Sequence, residues 1–124
     1  MAAPNVVNVA TITAKSGFLT PANITANVLI ANPASSGKVF KINTIIATNV
    51  DGASAINTTV ALNTNAAGSG TSFPIASTIS VPANAALIVT DKSTSFYLEE
   101  DESIVVTSGT ASKIAYVVSY EEIS

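Results

Sequence analysis

The chain has 124 residues, a formal net charge of −3, only 10% charged residues, and no His, Cys, Trp or Arg. The missing types supply most general bases, thiolate metal ligands and anion clamps, so we expect no enzyme activity, no metal and no cofactor. The five lysines are scattered and form no basic stripe for nucleic acid. Typical soluble domains carry about 25% charged residues, so the low charge predicts that neighbouring subunits cover part of the surface.

The length predicts one domain with one core. No lysine precedes Lys15 and no apolar run reaches 18 residues, so we expect neither a secretory signal nor a membrane span. Residues 1–12 are predicted to form an N-terminal arm and residues 13–124 the folded domain. An apolar arm of this kind adds a strand to a neighbour. Its predicted partner-binding residues are Ala2, Ala3, Pro4, Asn5, Val6, Val7 and Val9.

Taken in chain order, the first predicted strands cover residues 6–14 and 25–31. Residues 39–50 place apolar side chains on both parities, which indicates a central strand or a strand with a bulge. Residues 56–62 alternate apolar or Thr with polar or small side chains, the pattern of a half-buried strand. The inward side chains of that strand are predicted to be Ile56, Thr58, Val60 and Leu62.

In the second half, Phe73, Ile75, Ile79 and Val81 share one parity, and Pro82 marks the end of that strand because proline cannot donate to a ladder. Short strands are predicted at residues 87–89, 96–98 and 103–107. The clearest alternation follows Lys113. Its apolar face consists of Ile114, Tyr116, Val118 and Tyr120, so both tyrosines are predicted to be core or rim residues.

Clusters of turn-forming residues separate these runs at residues 32–37, 51–52, 66–70 and 108–109. No window has the apolar period of a helix over three turns. The sequence therefore predicts an all-β protein, a single antiparallel β-sandwich or jelly-roll-like domain of about eight strands.

The densest charge is the run of four acidic residues at positions 99–102. This run is compatible with three interpretations: a solvated acidic turn between two strands, a Ca²⁺ site, and an acid and base pair for glycoside cleavage. The turn is favoured because neighbouring residues of an extended segment point to opposite faces, and no oxygen-rich Asp, Asn and Gly loop accompanies the run. Without His, no Ser or Thr has a base to activate it, so no catalytic residues are predicted.

Tyr97 is a candidate partner-binding residue. The pair Phe96 and Tyr97 places one ring on each side of its strand, so one ring is expected to be exposed. An exposed aromatic ring contacts protein partners or stacks on sugars. A carbohydrate-binding surface is therefore an alternative function.

Four stretches carry a family resemblance: residues 37–45 (GKVFKINTI), 81–92 (VPANAALIVTDK), 96–104 (FYLEEDESI) and 115–122 (AYVVSYEE). They resemble small virion structural proteins of tailed phages, especially phages of cyanobacteria and other marine hosts. In that group, a strand end of isoleucine, proline, any residue and asparagine precedes an acidic turn and a closing serine, tyrosine and two glutamates. This chain has Asp101 where the turn of that group has glycine. Aspartate tolerates a left-handed backbone better than most residues.

The resemblance implies a virion component made in the host cytoplasm and located on the capsid surface. The favoured function is a capsid decoration, or cement, protein that binds the major capsid protein and copies of itself. A homo-oligomer is expected, with a trimer favoured, and neither nucleic acid nor membrane is an expected partner. The alternatives are a neck, tail or fibre-associated virion protein and a carbohydrate-binding module.

Overall fold

The alternating runs of the sequence form nine strands in the computed structural model, which describes residues 11–124. The strands are β1 (Ile12–Leu19), β2 (Asn27–Asn32), β3 (Val39–Asn49), β4 (Ile56–Asn63), β5 (Ser72–Val81), β6 (Ala86–Thr90), β7 (Phe96–Leu98), β8 (Glu102–Ser108) and β9 (Ile114–Ile123). One turn of 3-10 helix, Lys92–Thr94, separates β6 from β7. Its N-terminus is capped by the side chain of Asp91.

The strands form two antiparallel sheets. The β1 sheet has the order β1-β9-β3-β6, with β7 also pairing with β3, and the β2 sheet has the order β2-β8-β4-β5. If β6 and β7 are counted as one interrupted strand, the orders become 1-8-3-6 and 2-7-4-5, which is the arrangement of a jelly roll. The predicted antiparallel β-sandwich is confirmed. Nine strands replace the expected eight because the 3-10 turn interrupts the strand that pairs with β3.

The first strand differs from its prediction. β1 continues beyond residue 14 to Leu19, because every residue from Ile12 to Leu19 pairs with β9. Thr11 adds backbone hydrogen bonds of 3.0 and 2.9 Å with Ser124. The rest of the predicted arm, residues 1–10, lies outside the described residues.

The core is built from the inner faces of the two sheets. On β3, Ile42, Ile45 and Ala47 are all fully buried although their positions differ in parity. The pairing of β3 with β9 shifts between Ile42 and Thr44, so the strand changes the parity that faces inward. The sequence offered a central strand or a strand with a bulge as alternatives, and β3 is both.

Tyr116 is the largest fully buried side chain. Its hydroxyl hydrogen-bonds to the hydroxyl of Thr58 and donates to the backbone oxygen of Thr107 at 3.0 Å. Burial raises the pKa of Tyr116, because the charged form would lose its hydration. The predicted placement of both tyrosines is confirmed, with Tyr116 in the core and Tyr120 half-buried at its rim.

The predicted alternation in β5 is wrong. Its pairing with β4 shifts twice, near Val60, and Thr78 adopts a φ of 50°. Phe73, Ile75 and Ile79 are therefore exposed, while Val81 is buried. β5 is an edge strand of the β2 sheet, and its irregular ladder removes the strict alternation that a shared core face would impose.

Gly17 of β1 lies against the side chain of Ile30 in β2. A Cβ atom there would be 2.8 Å from Cγ2 of Ile30 and 3.1 Å from Cγ1 of Val118. Both neighbours are stiff, β-branched side chains, so Gly17→Ala is expected to lower the free energy of unfolding by about 1–3 kcal/mol. Urea denaturation measures this change.

The matched control is Gly52→Ala, where the nearest atom to the new Cβ is 3.6 Å away. We expect this control to keep the denaturation midpoint of the wild type. Equal midpoints for the two variants would show that the approach of β1 to β2 is not tight.

Candidate functional site

Four apolar side chains form a row across the outer face of the β1 sheet, called here the apolar row. Phe18 of β1 pairs with Val117 of β9, which pairs with Ile46 of β3, which pairs with Ile88 of β6. Directly opposed residues have Cβ atoms about 4.5–5.5 Å apart, so the four side chains lie next to one another. The exposed fractions are 81% for Phe18, 45% for Val117 and 62% for Ile88.

The surroundings of the apolar row carry no charge. The flanking rows consist of small uncharged residues: Ser16, Ser119 and Thr44 on one side, and Ala115, Thr48 and Ala86 on the other. Along β9 and its approach, the nearest charged residues are Lys113 and Glu121. At about 3.4 Å per residue they are roughly 27 Å apart. An exposed apolar patch whose neighbouring rows are uncharged is typical of a protein interface.

The outer face of the β2 sheet is different, because a loop of the chain itself covers part of it. Gly68 of the β4–β5 loop lies against Val28 and Val105. Ser103 donates from Oγ to the backbone oxygen of Asn65 at 2.7 Å and so fixes the loop. As a result Val105 is buried although it points away from the core. On the β1 sheet, by contrast, most side chains of the apolar row are exposed to solvent.

Three asparagines organise the loops at the strand ends. Asn32, Asn49 and Asn63 are the last residues of β2, β3 and β4, and all are buried. The amide nitrogen of Asn49 donates to the backbone oxygens of Ser54 and Val81, both at 2.9 Å. The sequence analysis missed these residues. The sequence signal that could have identified them is an asparagine at the end of an apolar run. Asn32 lies within a turn cluster, and Asn49 and Asn63 lie two and three residues before one.

The acidic run forms a turn, as predicted, and Asp101 adopts the left-handed φ of 60°. Its carboxylates hold other loops. Glu100 accepts from the backbone nitrogen of Gly37 at 2.8 Å, and Asp101 accepts from that of Ala66 at 3.1 Å. The expectation of a simply solvated turn is therefore corrected. Among residues 11–124, no group of three or more acidic, His or Cys residues is arranged to hold a metal.

A second feature is an open cleft of about 510 Å³ between the rims of the two sheets. Ile30 and Pro33 line it from the β2 side, and Lys38, Phe40, Tyr120 and Glu122 line it from the β1 sheet and the loop before β3. The rings of Phe40 and Tyr120 stack with centroids 5.2 Å apart and planes inclined by 29°.

Glu122 joins two lysines at the mouth of this cleft. Its oxygens lie 3.1 Å from Nζ of Lys38 and 3.2 Å from Nζ of Lys15. Desolvation raises the pKa of Glu122, but hydrogen bonds and charge from the two lysines outweigh it and hold the pKa below its ordinary value. The pKa of Tyr120 is raised by burial and by the charge of Glu122.

The ion pairs predict a pH dependence. Glu122→Gln is expected to lower the free energy of unfolding by about 1 kcal/mol at neutral pH, since both lysines are nearly half exposed. The pKa of Glu122 is lower in the folded state than in the unfolded chain. Its contribution is therefore present above the ordinary glutamate pKa and is lost as pH falls through the folded pKa.

Urea denaturation, measured from neutral pH down to below the folded pKa of Glu122, compares the wild type with Glu122→Gln. The difference between them is expected at neutral pH and should disappear once the pH falls below the folded pKa of Glu122. Glu99→Gln is the control, because Glu99 is exposed at the acidic turn. A difference that stays constant with pH would contradict the role assigned to the Glu122 carboxylate.

The structure places Tyr97 on the outer face of the β1 sheet, half exposed and opposite Lys41 of β3. It belongs neither to the apolar row nor to the cleft. The other predicted partner-binding residues, at positions 2–7 and 9, lie outside the described residues, and their role stays a prediction.

Comparison with known proteins identifies no matching protein family and no matching curated sequence. Within residues 11–124, no helix is long and apolar enough to cross a membrane.

Proposed function

We propose that this protein is a non-enzymatic structural component of a phage virion, a capsid decoration protein that lies on the head shell and adds contacts between capsid subunits. The observation that carries the proposal is the apolar row on the outer face of the β1 sheet, whose neighbouring rows are uncharged. Its side chains are stabilised when a partner covers them. The sequence resemblance to virion proteins supports the choice of the major capsid protein as that partner.

The size of the face indicates how attachment works. Full burial of a Phe, Ile or Val side chain contributes about 1.5–3 kcal/mol, whereas association costs about 4–15 kcal/mol. One face of this size binds weakly, and several faces in a symmetric oligomer bind firmly because their attachment is multivalent. A homo-oligomer, with a trimer favoured, is therefore part of the proposal.

The edge strand β5 supplies a surface for contacts between copies. Phe73, Ile75 and Ile79 are exposed there, and the strand contains no charged residue. Pro74 and the register shifts of β5 disfavour backbone pairing with another strand, so the contacts between copies are made by these exposed side chains. Occupying this edge within the oligomer leaves the apolar row free for the shell. Because the protein binds the assembled shell, it stabilises the assembled shell over free capsid subunits by mass action.

Quantitative mass spectrometry of purified virions tests the proposal. The expected molar ratio of this chain to the major capsid protein is about one, or about one third, as the symmetry of a shell lattice requires. A ratio of a few per cent would overturn the decoration role and favour a neck, tail or fibre-associated protein. Absence from the particle would overturn the virion role itself.

A further inference from the structure

The cleft between the sheets has a chemistry that the apolar row lacks. Its volume of about 510 Å³ lies within the range of small-molecule sites, about 300–1,000 Å³. One carboxylate and two ammonium groups meet at its mouth, beside a stacked aromatic pair. Strong acceptors and strong donors are thus close together next to an apolar surface.

The charged groups of the cleft have hydrogen-bond donors and acceptors that remain available to a ligand. Each oxygen of Glu122 contacts one lysine and has a second lone pair, and each ammonium has three donors. Vicinal hydroxyls satisfy both kinds of group at once, because a hydroxyl both donates and accepts. One hydroxyl donates to Glu122, and its neighbour accepts from Lys38, since both side chains line the cleft.

The apolar wall fits the other side of such a ligand. Phe40 is buried and supports the ring of half-buried Tyr120 from behind. A sugar ring presents C–H groups on one face and hydroxyls at its edge, so it contacts the Tyr120 ring and the charged cluster together. A neutral hydroxyl ligand adds to this cluster without displacing either ion pair, because Glu122 keeps both lysines as partners.

From these contacts we infer that the cleft binds a neutral hexose unit of a polysaccharide, held by Tyr120, Glu122 and Lys38. This site lies apart from the apolar row, so it does not depend on how the protein is attached to a particle. A protein fixed by its β1 sheet face keeps the rim cleft open and presents a sugar-binding site at the surface.

The test is an NMR titration of the purified 12.5 kDa protein with the methyl glycosides of glucose, galactose and mannose. Saturable shifts are expected for at least one glycoside at Ile30, Lys38 and Tyr120. Glu122→Gln keeps the size of the side chain but weakens the acceptor, and should reduce the affinity at least about tenfold. Lys38→Met should reduce it at least about threefold, and the control Glu99→Gln should leave it unchanged.

Three results would overturn the inference. The first is the absence of saturable shifts with all three glycosides, and the second is binding that Glu122→Gln leaves unchanged. The third is binding that is lost on Tyr97→Ala and kept in Glu122→Gln, which would place a sugar site on the outer face. Backbone NMR spectra of each variant verify that the fold is retained, so a loss of binding reports on the cleft.

Discussion

A double variant with charges at both ends of the apolar row, Phe18→Asp with Ile88→Lys, is expected to bind the capsid shell at least about 100-fold more weakly. Each apolar side chain contributes about 1.5–3 kcal/mol when fully buried, and an unpaired charge in the interface adds a desolvation cost. A loss of about 3 kcal/mol corresponds to roughly 100-fold in affinity. Co-sedimentation with particles that lack this protein measures the effect.

Folding should not change, because Phe18 and Ile88 are 81% and 62% exposed in the isolated protein. The matched control is Ile24→Asp, since Ile24 is also 62% exposed but lies outside the strands of the β1 sheet. This control is expected to bind particles like the wild type. Equal loss in the control and the double variant, or full binding by the double variant, would contradict an interface at the apolar row.

The second large effect is expected for Asn49→Ala, which should lower the free energy of unfolding by about 2–4 kcal/mol. The change removes the donor to Ser54 and Val81 and the acceptor for the backbone nitrogen of Asp51, which lies 2.8 Å from Oδ1. Each buried group that loses its partner costs about 1–3 kcal/mol. Domains of this kind have total stabilities of about 5–15 kcal/mol, so the loss is a large part of the whole.

Urea denaturation followed by circular dichroism measures this loss. Asn57→Ala is the matched control, because Asn57 is exposed on β4, the next strand along the chain. Surface substitutions of this type change stability by about 0.5 kcal/mol or less. Similar midpoints for the two variants would mean that the Asn49 amide does not hold the β3–β4 loop.

The sequence predicted strands well where one face of a central strand meets the core. The inward positions of residues 56–62 and 114–120 follow from a period of two, and the structure buries or half-buries all of them. The edge strand β5 could not be predicted in the same way. Its partner β4 imposes two register shifts, and no local pattern encodes them.

The candidate site was hidden for a related reason. Phe18, Ile46, Ile88 and Val117 are far apart in the sequence, and each one alone resembles a core residue. They become a surface only when the register of four strands is known. The acidic turn is similar, since the partners of Glu100 and Asp101 are 63 and 35 positions away.

The central claim, that a partner on the virion covers the outer face of the β1 sheet, is tested most directly by thiol labelling. The chain has no cysteine, so Ile88→Cys introduces a single reactive site. Ala67→Cys is the control, because Ala67 is exposed on the loop that covers the opposite sheet.

Maleimide should label both variants rapidly in the free protein. On the particle, we expect labelling of Ile88→Cys to slow at least about tenfold, because a covering partner excludes the reagent, while Ala67→Cys reacts as before. If Ile88→Cys reacts equally fast on the particle and in solution, the apolar row is not the attachment surface.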